Sequence, residues 1–246
     1  MVKLSVNVNK VATLRNSRGG DVPDPLAAAR TVVEAGAPGV TVHPRQDERH
    51  IRPGDVRAIA ALLAPLKGKI EFNIEGDPRP DLIALVHEVQ PDQCTLVPVR
   101  PGEITSQAGW GADTPRERLA GVVKDLRGRG VRVSLFVDPE PDAIRWAADV
   151  GADRVELYTE PYARAWERGK QEALESFWRY EAAAQLANDR GLGINAGHDL
   201  DLENLTLFRR LPHLAEVSIG HAIIGRAVFV GLSTVVREYL AVLAES

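Results

Sequence analysis

One cysteine, Cys94, stands in 246 residues, which excludes an internal disulfide and any cysteine-rich zinc site. It sits in the apolar run "CTLVP", where a small buried strand residue is the expected reading. No apolar run reaches the roughly 18–20 residues of a membrane span. The opening "MVKLSVNV" lacks a secretory core followed by a small-residue cleavage site, so a cytoplasmic protein without membrane association is expected. A formal charge of −4 supplies no global basic field for nucleic acid. No HExxH motif occurs, and "NVNKVATLRNSRGG" after the first β-rich run is not the G-x-G-x-x-G of a dinucleotide fold. No Pro/Ser linker or charge block divides the chain, so residues 1–246 are expected to form one domain.

What the chain does contain is alternation. Short runs rich in β-branched residues recur at 3–8, 39–43, 69–74, 94–98, 131–137, 153–159, 192–196 and 216–220. Continuous apolar runs of this length suit parallel strands buried on both faces. Between them lie helical patterns at 24–37, 54–66, 79–89, 114–130, 140–152, 172–191, 202–211 and 227–245. Several end in "AGA" or "GRG" just before a strand, a glycine helix stop. Eight such units predict an α/β fold, a single (β/α)8 TIM barrel.

In that architecture chemistry gathers at the C-terminal ends of the strands. Reading those ends in turn gives Asn7, Asn9 and Lys10; His43, Arg45 and His50; Asn73 and Glu75; Arg100, Glu103 and Thr105; Asp138; Glu156 and Thr159; Asn195 and His198; Gly220 and His221. Two histidines facing two carboxylates supply proton donors and acceptors near neutral pH. The other histidines, His87 and His213, read as surface residues. "SIGHAIIGRA" (218–227) places a glycine before a helical run, where free N–H groups and the helix dipole can hold a phosphate. Arg18, Arg45 and Lys10 are further anion partners. The residues thus predict acid–base chemistry on a small, phosphorylated substrate, with no metal or cofactor required.

The segments "ATLRNSRGG" (12–20), "GVTVHPRQDERHI" (39–51), "LVP" with "GEIT" (96–105), "VSLFVD" (133–138), "INAGH" (194–198) and "SIGHAIIGRA" (218–227) resemble, in order, the pyridoxine 5′-phosphate synthase family of deoxyxylulose-dependent vitamin B6 synthesis. The resemblance runs from about residue 4 to 240 and implies a barrel with extra helices. It implies condensation of 3-amino-2-oxopropyl phosphate with 1-deoxy-D-xylulose 5-phosphate to pyridoxine 5′-phosphate, inorganic phosphate and water. On this resemblance His43 and Glu75 are the proton acceptors, His198 the donor, and Glu156 stabilises developing positive charge. Asn7, Arg18, Gly220 and His221 match positions holding the aminoketone phosphate; Arg45, His50 and Thr105 match those holding the deoxyxylulose phosphate. The family implies a homo-oligomer, an octamer.

The chain departs from the family's usual pattern at the mouth. Asn9 and Lys10 replace a carboxylate and a histidine, Pro44 lies between His43 and Arg45, Val99 replaces a glutamate, and Glu160 and Asp199 replace glycines. Two other readings follow. A relative could keep the acid–base pairs but take a different amino-ketone or keto-phosphate, with Lys10 forming a Schiff base. A non-catalytic phospho-ligand protein on the same fold is the other. Asp199 is expected to turn outward and cap the helix beginning near Leu202; inward, it would repel a phosphate dianion.

Overall fold

The structure is a computed structural model that describes residues 1–99 and 108–245. Its eight strands are β1 (Lys3–Asn7), β2 (Gly39–Val42), β3 (Glu71–Gly76), β4 (Gln93–Leu96), β5 (Arg132–Val137), β6 (Arg154–Tyr158), β7 (Gly193–His198) and β8 (Leu214–Ile219). All neighbours are parallel, and β8 pairs with β1 to close the barrel. The predicted (β/α)8 architecture is therefore present.

The helices are α1 (Asn9–Asn16), α2 (Pro25–Glu34), α3 (Pro53–Leu63), α4 (Pro80–Val89), α5 (Glu117–Gly128), α6 (Pro141–Val150), α7 (Glu160–Arg168), α8 (Lys170–Asp189), α9 (Leu205–Phe208), α10 (His221–Val230) and α11 (Leu232–Ala244). Their starts follow the sequence closely. Pro25, Pro53, Pro80 and Pro141 each open a helix, where the missing N–H costs nothing. Asp24 caps α2 by accepting the N–H groups of Leu26 and Ala27. Gly151 ends α6 in the left-handed region, φ +91°, and the chain passes directly into β6.

The structure corrects three expectations. The last predicted helix is two, because Gly231 (φ +86°) breaks the run between α10 and α11. Two helices, α1 and α7, stand where none was read. β1 stops at Asn7, so Asn9 and Lys10 lie in the first turn of α1 and not on a strand end.

Outward strand residues such as Val40, Val42, Ile74, Leu135 and Val217 are fully buried and pack with helix residues into the main core. Each such side chain contributes about 1.5–3 kcal/mol. Successive strand residues point to opposite faces, so the alternate set points into the barrel. That interior is polar. In its middle layer Ser5 shares a hydrogen bond with Thr41 (2.6 Å), Asn73 donates to Thr41 (3.3 Å), and Thr95 donates to Asn73 (3.1 Å). Below it Arg132 pairs with Glu71 (2.6 Å) and donates to Gln93 (2.9 Å), and Arg154 donates to Asn195 (2.7 Å). Burial and the neighbouring Glu71 charge push the Glu216 carboxyl well above the usual range. The barrel is thus stoppered by a hydrogen-bonded ionic layer, and the open chemistry is confined to its other end.

Candidate active site

A cavity of about 420 Å³ opens at the C-terminal ends of the strands. One wall is cationic, formed by Lys10, Arg45 and Arg49, with His50 beside them. The floor carries His43, Glu75, Glu156 and His198. The far wall is Asp199, Gly220 and His221, and Asn7 and Asn9 line it too.

The residues of the floor are held by their strands. His43 follows β2, and its backbone N–H donates to Asn9 Oδ1 at 2.9 Å. Its ring Nδ1 lies 3.7 Å from Glu75 Oε2, and its Nε2 is buried with no hydrogen-bond partner among the described residues. Asn7 Nδ2 donates to Glu75 Oε2 (3.3 Å), and Ser218 Oγ donates to Glu75 Oε1 (3.4 Å). Glu156 is 2% exposed. It fits because residue 197 is glycine: a Cβ there would lie 2.7 Å from Glu156 Oε1 and 2.8 Å from the Ser218 carbonyl. Gly220 performs the same service for Asn7, whose Cβ would lie 3.0 Å from an added one.

His50 reaches the cavity from the loop after β2. Arg15 pins that loop by pairing with Asp55 through both Nη1 (2.6 Å) and Nη2 (2.9 Å) and donating to the His50 carbonyl (3.2 Å). The Ile51 N–H donates to His50 Nδ1 (2.9 Å), which leaves the ring proton on Nε2.

Burial sets the proton inventory. The Glu75 carboxyl is pushed up to about 8, chiefly by burial. Glu156 is raised well above the ordinary value by burial and by the Glu75 charge. His43 is lowered well below its ordinary value by burial and the nearby His50 and Arg45 charges. Burial, then Arg45, lowers His198 to about 4, and its ring packs on Phe136 (4.8 Å) and Tyr158 (5.7 Å). The site thus sets two raised carboxyls beside two lowered imidazoles, a set that can both give and take protons.

His198 adopts φ +94°, unusual for a residue with a side chain. Such a conformation costs on the order of 1–3 kcal/mol and is kept where surrounding structure demands it. Its effect here is that consecutive residues, His198 and Asp199, both line the cavity. The expected cap by Asp199 is not formed. Asp201 instead closes the turn that leads into α9, accepting the N–H groups of Glu203 (2.9 Å) and Asn204 (2.8 Å). Asn204 holds Asp199 by donating to its carbonyl (3.0 Å). Burial and the Glu160 charge raise the Asp199 carboxyl, while His221 and Arg164 act in the opposite direction.

Most of the residues expected from sequence thus meet in one place: Asn7, Asn9, Lys10, His43, Arg45, His50, Glu75, Glu156, His198, Asp199, Gly220 and His221. Arg18 does not join them; it lies exposed beyond α1. Thr105, with Arg100 and Glu103, lies outside the described residues. Asn73 sits in the middle layer with Thr41 and Thr95, and Asn195 in the layer beneath it with Arg154 and Gln93. Sequence reading missed Thr13, Arg49 and Ser218 in the lining. Ser218 carried a signal, since it stands two residues before Gly220 and shares its inward face. His213 is exposed, and His87 is half-buried against Asp125 (2.6 Å). Cys94 is buried, and burial lifts its thiol to about 12. Among the described residues no three His, Cys, Asp or Glu side chains converge as a metal site would require, and no helix is long and apolar enough to cross a membrane.

Comparison with known proteins gives two levels of likeness. The sequence profile described as "Pyridoxal phosphate biosynthesis protein PdxJ" matches residues 4–245. Pyridoxine 5′-phosphate synthase of Christiangramia forsetii is 49% identical over 244 residues, covering 99% of this chain and 100% of that protein. That of Bacteroides fragilis is 50% identical over 240 residues, covering 97% and 98%. Among solved structures, 3-hexulose-6-phosphate synthase from Salmonella typhimurium superposes with a TM-score of 0.66 at 15% identity, covering 98% of each chain. The last is a likeness of fold alone.

Proposed function

Because the chain belongs to the PdxJ family of pyridoxal phosphate biosynthesis proteins, and is thereby an enzyme of pyridoxine biosynthesis, we propose that it condenses 3-amino-2-oxopropyl phosphate with 1-deoxy-D-xylulose 5-phosphate. The products are pyridoxine 5′-phosphate, inorganic phosphate and water. The observation that carries this reading is the pairing of two raised carboxyls with two lowered imidazoles beside a cationic wall. Imine formation, loss of phosphate, ring closure and dehydration each move a proton, and this set can serve them all.

His43, neutral and with an Nε2 unpartnered among the described residues, is the first proton acceptor. Glu75 begins protonated, delivers that proton to a departing hydroxyl, and then accepts in its turn. His198 donates to the leaving group through its N–H. Glu156 passes its proton to the imine nitrogen, and the resulting carboxylate stabilises the positive charge formed there. Lys10, Arg45 and the Nε2–H of His50 take the deoxyxylulose phosphate. Asn7, Gly220 and His221 take the aminoketone phosphate at the start of α10. Arg18 is left out of this assignment, because it stands away from the cavity.

The enzyme acts in the cytoplasm as a homo-oligomer. Support for assembly comes from α10, where Val228 is 71% and Phe229 87% exposed, and from α1, which packs against α10 and whose Leu14 is 56% exposed. An apolar patch of this kind is costly on a monomer and is usual at subunit contacts.

Purified protein supplied with both substrates is expected to form pyridoxine 5′-phosphate, read by chromatography. His43→Ala is expected to lower kcat on the order of 10²–10⁴-fold. Absence of product from the unaltered protein would remove the substrate assignment. A borohydride-trapped adduct on Lys10 would replace it with a Schiff-base route on another ketone.

A further inference from the structure

Four contacts near the end of β1 close into a ring around the two proton acceptors. The His43 N–H donates to Asn9 Oδ1 at 2.9 Å. The Asn9 N–H donates to Asn7 Oδ1 at 3.0 Å. Asn7 Nδ2 donates to Glu75 Oε2 at 3.3 Å, and the same oxygen lies 3.7 Å from His43 Nδ1. The direction of each amide is fixed. Only the oxygen of Asn7 can accept from a backbone N–H, so its NH₂ is turned to Glu75. Only the oxygen of Asn9 can accept from His43.

The chain is shaped for this. Val8 donates to the Thr41 carbonyl (3.2 Å), which continues the β1–β2 pairing past the last strand residue and registers the start of α1 against the end of β2. Val8 itself has φ −92° and ψ 10°, a bend that brings residues 7 and 9 to the same side. Gly220 leaves the space that Asn7 occupies.

We propose that Asn9 is a positioning residue: its side-chain oxygen accepts the His43 backbone N–H while its own backbone N–H holds Asn7, so that residue 9 keeps His43 in a fixed relation to the Glu75 carboxyl. Its place in the cavity lining otherwise reads as a substrate contact, and the two roles make opposite forecasts. A residue that holds phosphate raises KM when lost, and a carboxylate in its place repels the substrate. A residue that holds the acceptors lowers kcat when lost, and a carboxylate in its place keeps the needed acceptor oxygen.

The test compares Asn9→Ala, Asn9→Asp and the unaltered protein. For Asn9→Ala, kcat is expected to fall on the order of 10²-fold with KM unchanged for both substrates, the usual cost of a small misplacement of reacting groups. Asn9→Asp is expected to recover most of that loss. With ¹⁵N-labelled histidine, the His43 ring resonances move in Asn9→Ala and stay in place in Asn9→Asp. A raised KM with kcat retained, an Asn9→Asp as damaged as Asn9→Ala, or unmoved ring resonances in Asn9→Ala would each overturn the proposal. The kinetic arm rests on the condensation reading. If the unaltered protein makes no product, that reading fails, and the resonances alone judge the tether. Should Asn9→Ala not fold, Asn9→Ser serves: its shorter side chain withdraws the oxygen from the His43 N–H. A lower kcat is expected, and an unchanged kcat would refute the ring.

Discussion

Glu75→Gln isolates the energetic consequence of burying an acid in the barrel mouth. In the folded protein the carboxyl is 5% exposed and keeps its proton up to about pH 8; unfolded, it releases it near its ordinary value of 4.5. Over that interval the folded state binds more protons than the unfolded one, so rising pH lowers stability. Each pH unit is worth at most about 1.4 kcal/mol, giving a ceiling on the order of 5 kcal/mol for the whole interval. Glutamine mimics the protonated acid and does not titrate. At about pH 5 the two proteins are expected to agree within roughly 1 kcal/mol; by about pH 9 the glutamine variant is the more stable by roughly 2–5 kcal/mol. Glu156 strengthens the trend, because removing the Glu75 charge also relieves part of what raises its own pKa. The buried histidines act with the opposite sign. His198, held at about 4, weakens the fold as pH drops below 6.5, but it does so in both proteins and cancels in the difference. Guanidinium unfolding at several pH values reads the result. Parallel stability curves, or a native protein that gains on the variant as pH rises, would refute the reasoning.

Two further outcomes follow from the far wall and the surface. Asp199→Gly removes a half-buried carboxylate beside His221, and inorganic phosphate should then bind about tenfold more tightly at pH 8 by calorimetry, a gain of about 1–2 kcal/mol; an unchanged Kd would mean that this carboxylate does not face the anion. Phe229→Asp, on the exposed end of α10, should lower the mass seen by light scattering without changing the thermal unfolding of the remaining species, and an unaltered mass would exclude this patch from assembly.

The barrel was legible because parallel strands hide their outward residues under helices. Val40 with Val42, and Val133 with Leu135 and Val137, announce strands without any help from their neighbours. The two unread helices lack that signal. α1 buries only Val11, Ala12 and Arg15, and the arginine is there to pair with Asp55. α7 reads "EPYARAWER", short and with four of its nine residues charged, and buries only Tyr162 and Ala165. The polar interior was also invisible as such. Ser5, Thr41, Asn73, Thr95, Gln93 and Arg132 look like strand residues facing water, and only closure of the sheet turns them into partners for one another.

The same geometry decides how far the site could be read. The rule that chemistry lies at strand ends finds His43, Glu75, Glu156 and His198, because a parallel barrel brings all eight ends to one rim. It overreaches at Asn195, which belongs to the layer below and binds Arg154 and Gln93. It is silent on Asp199. Strand alternation puts residues 198 and 199 on opposite faces, and on that basis Asp199 belongs outside, as a cap. The positive φ of His198 breaks the alternation, and Asn204 then fixes the following carbonyl. Neither can be inferred from spacing, since the strain is stored in a residue whose type does not invite it. The expense is intelligible in terms of what it places. A histidine with its pKa lowered to about 4 and an acid with its pKa raised come side by side at the end of one strand. A regular strand could have offered the cavity only one of the two.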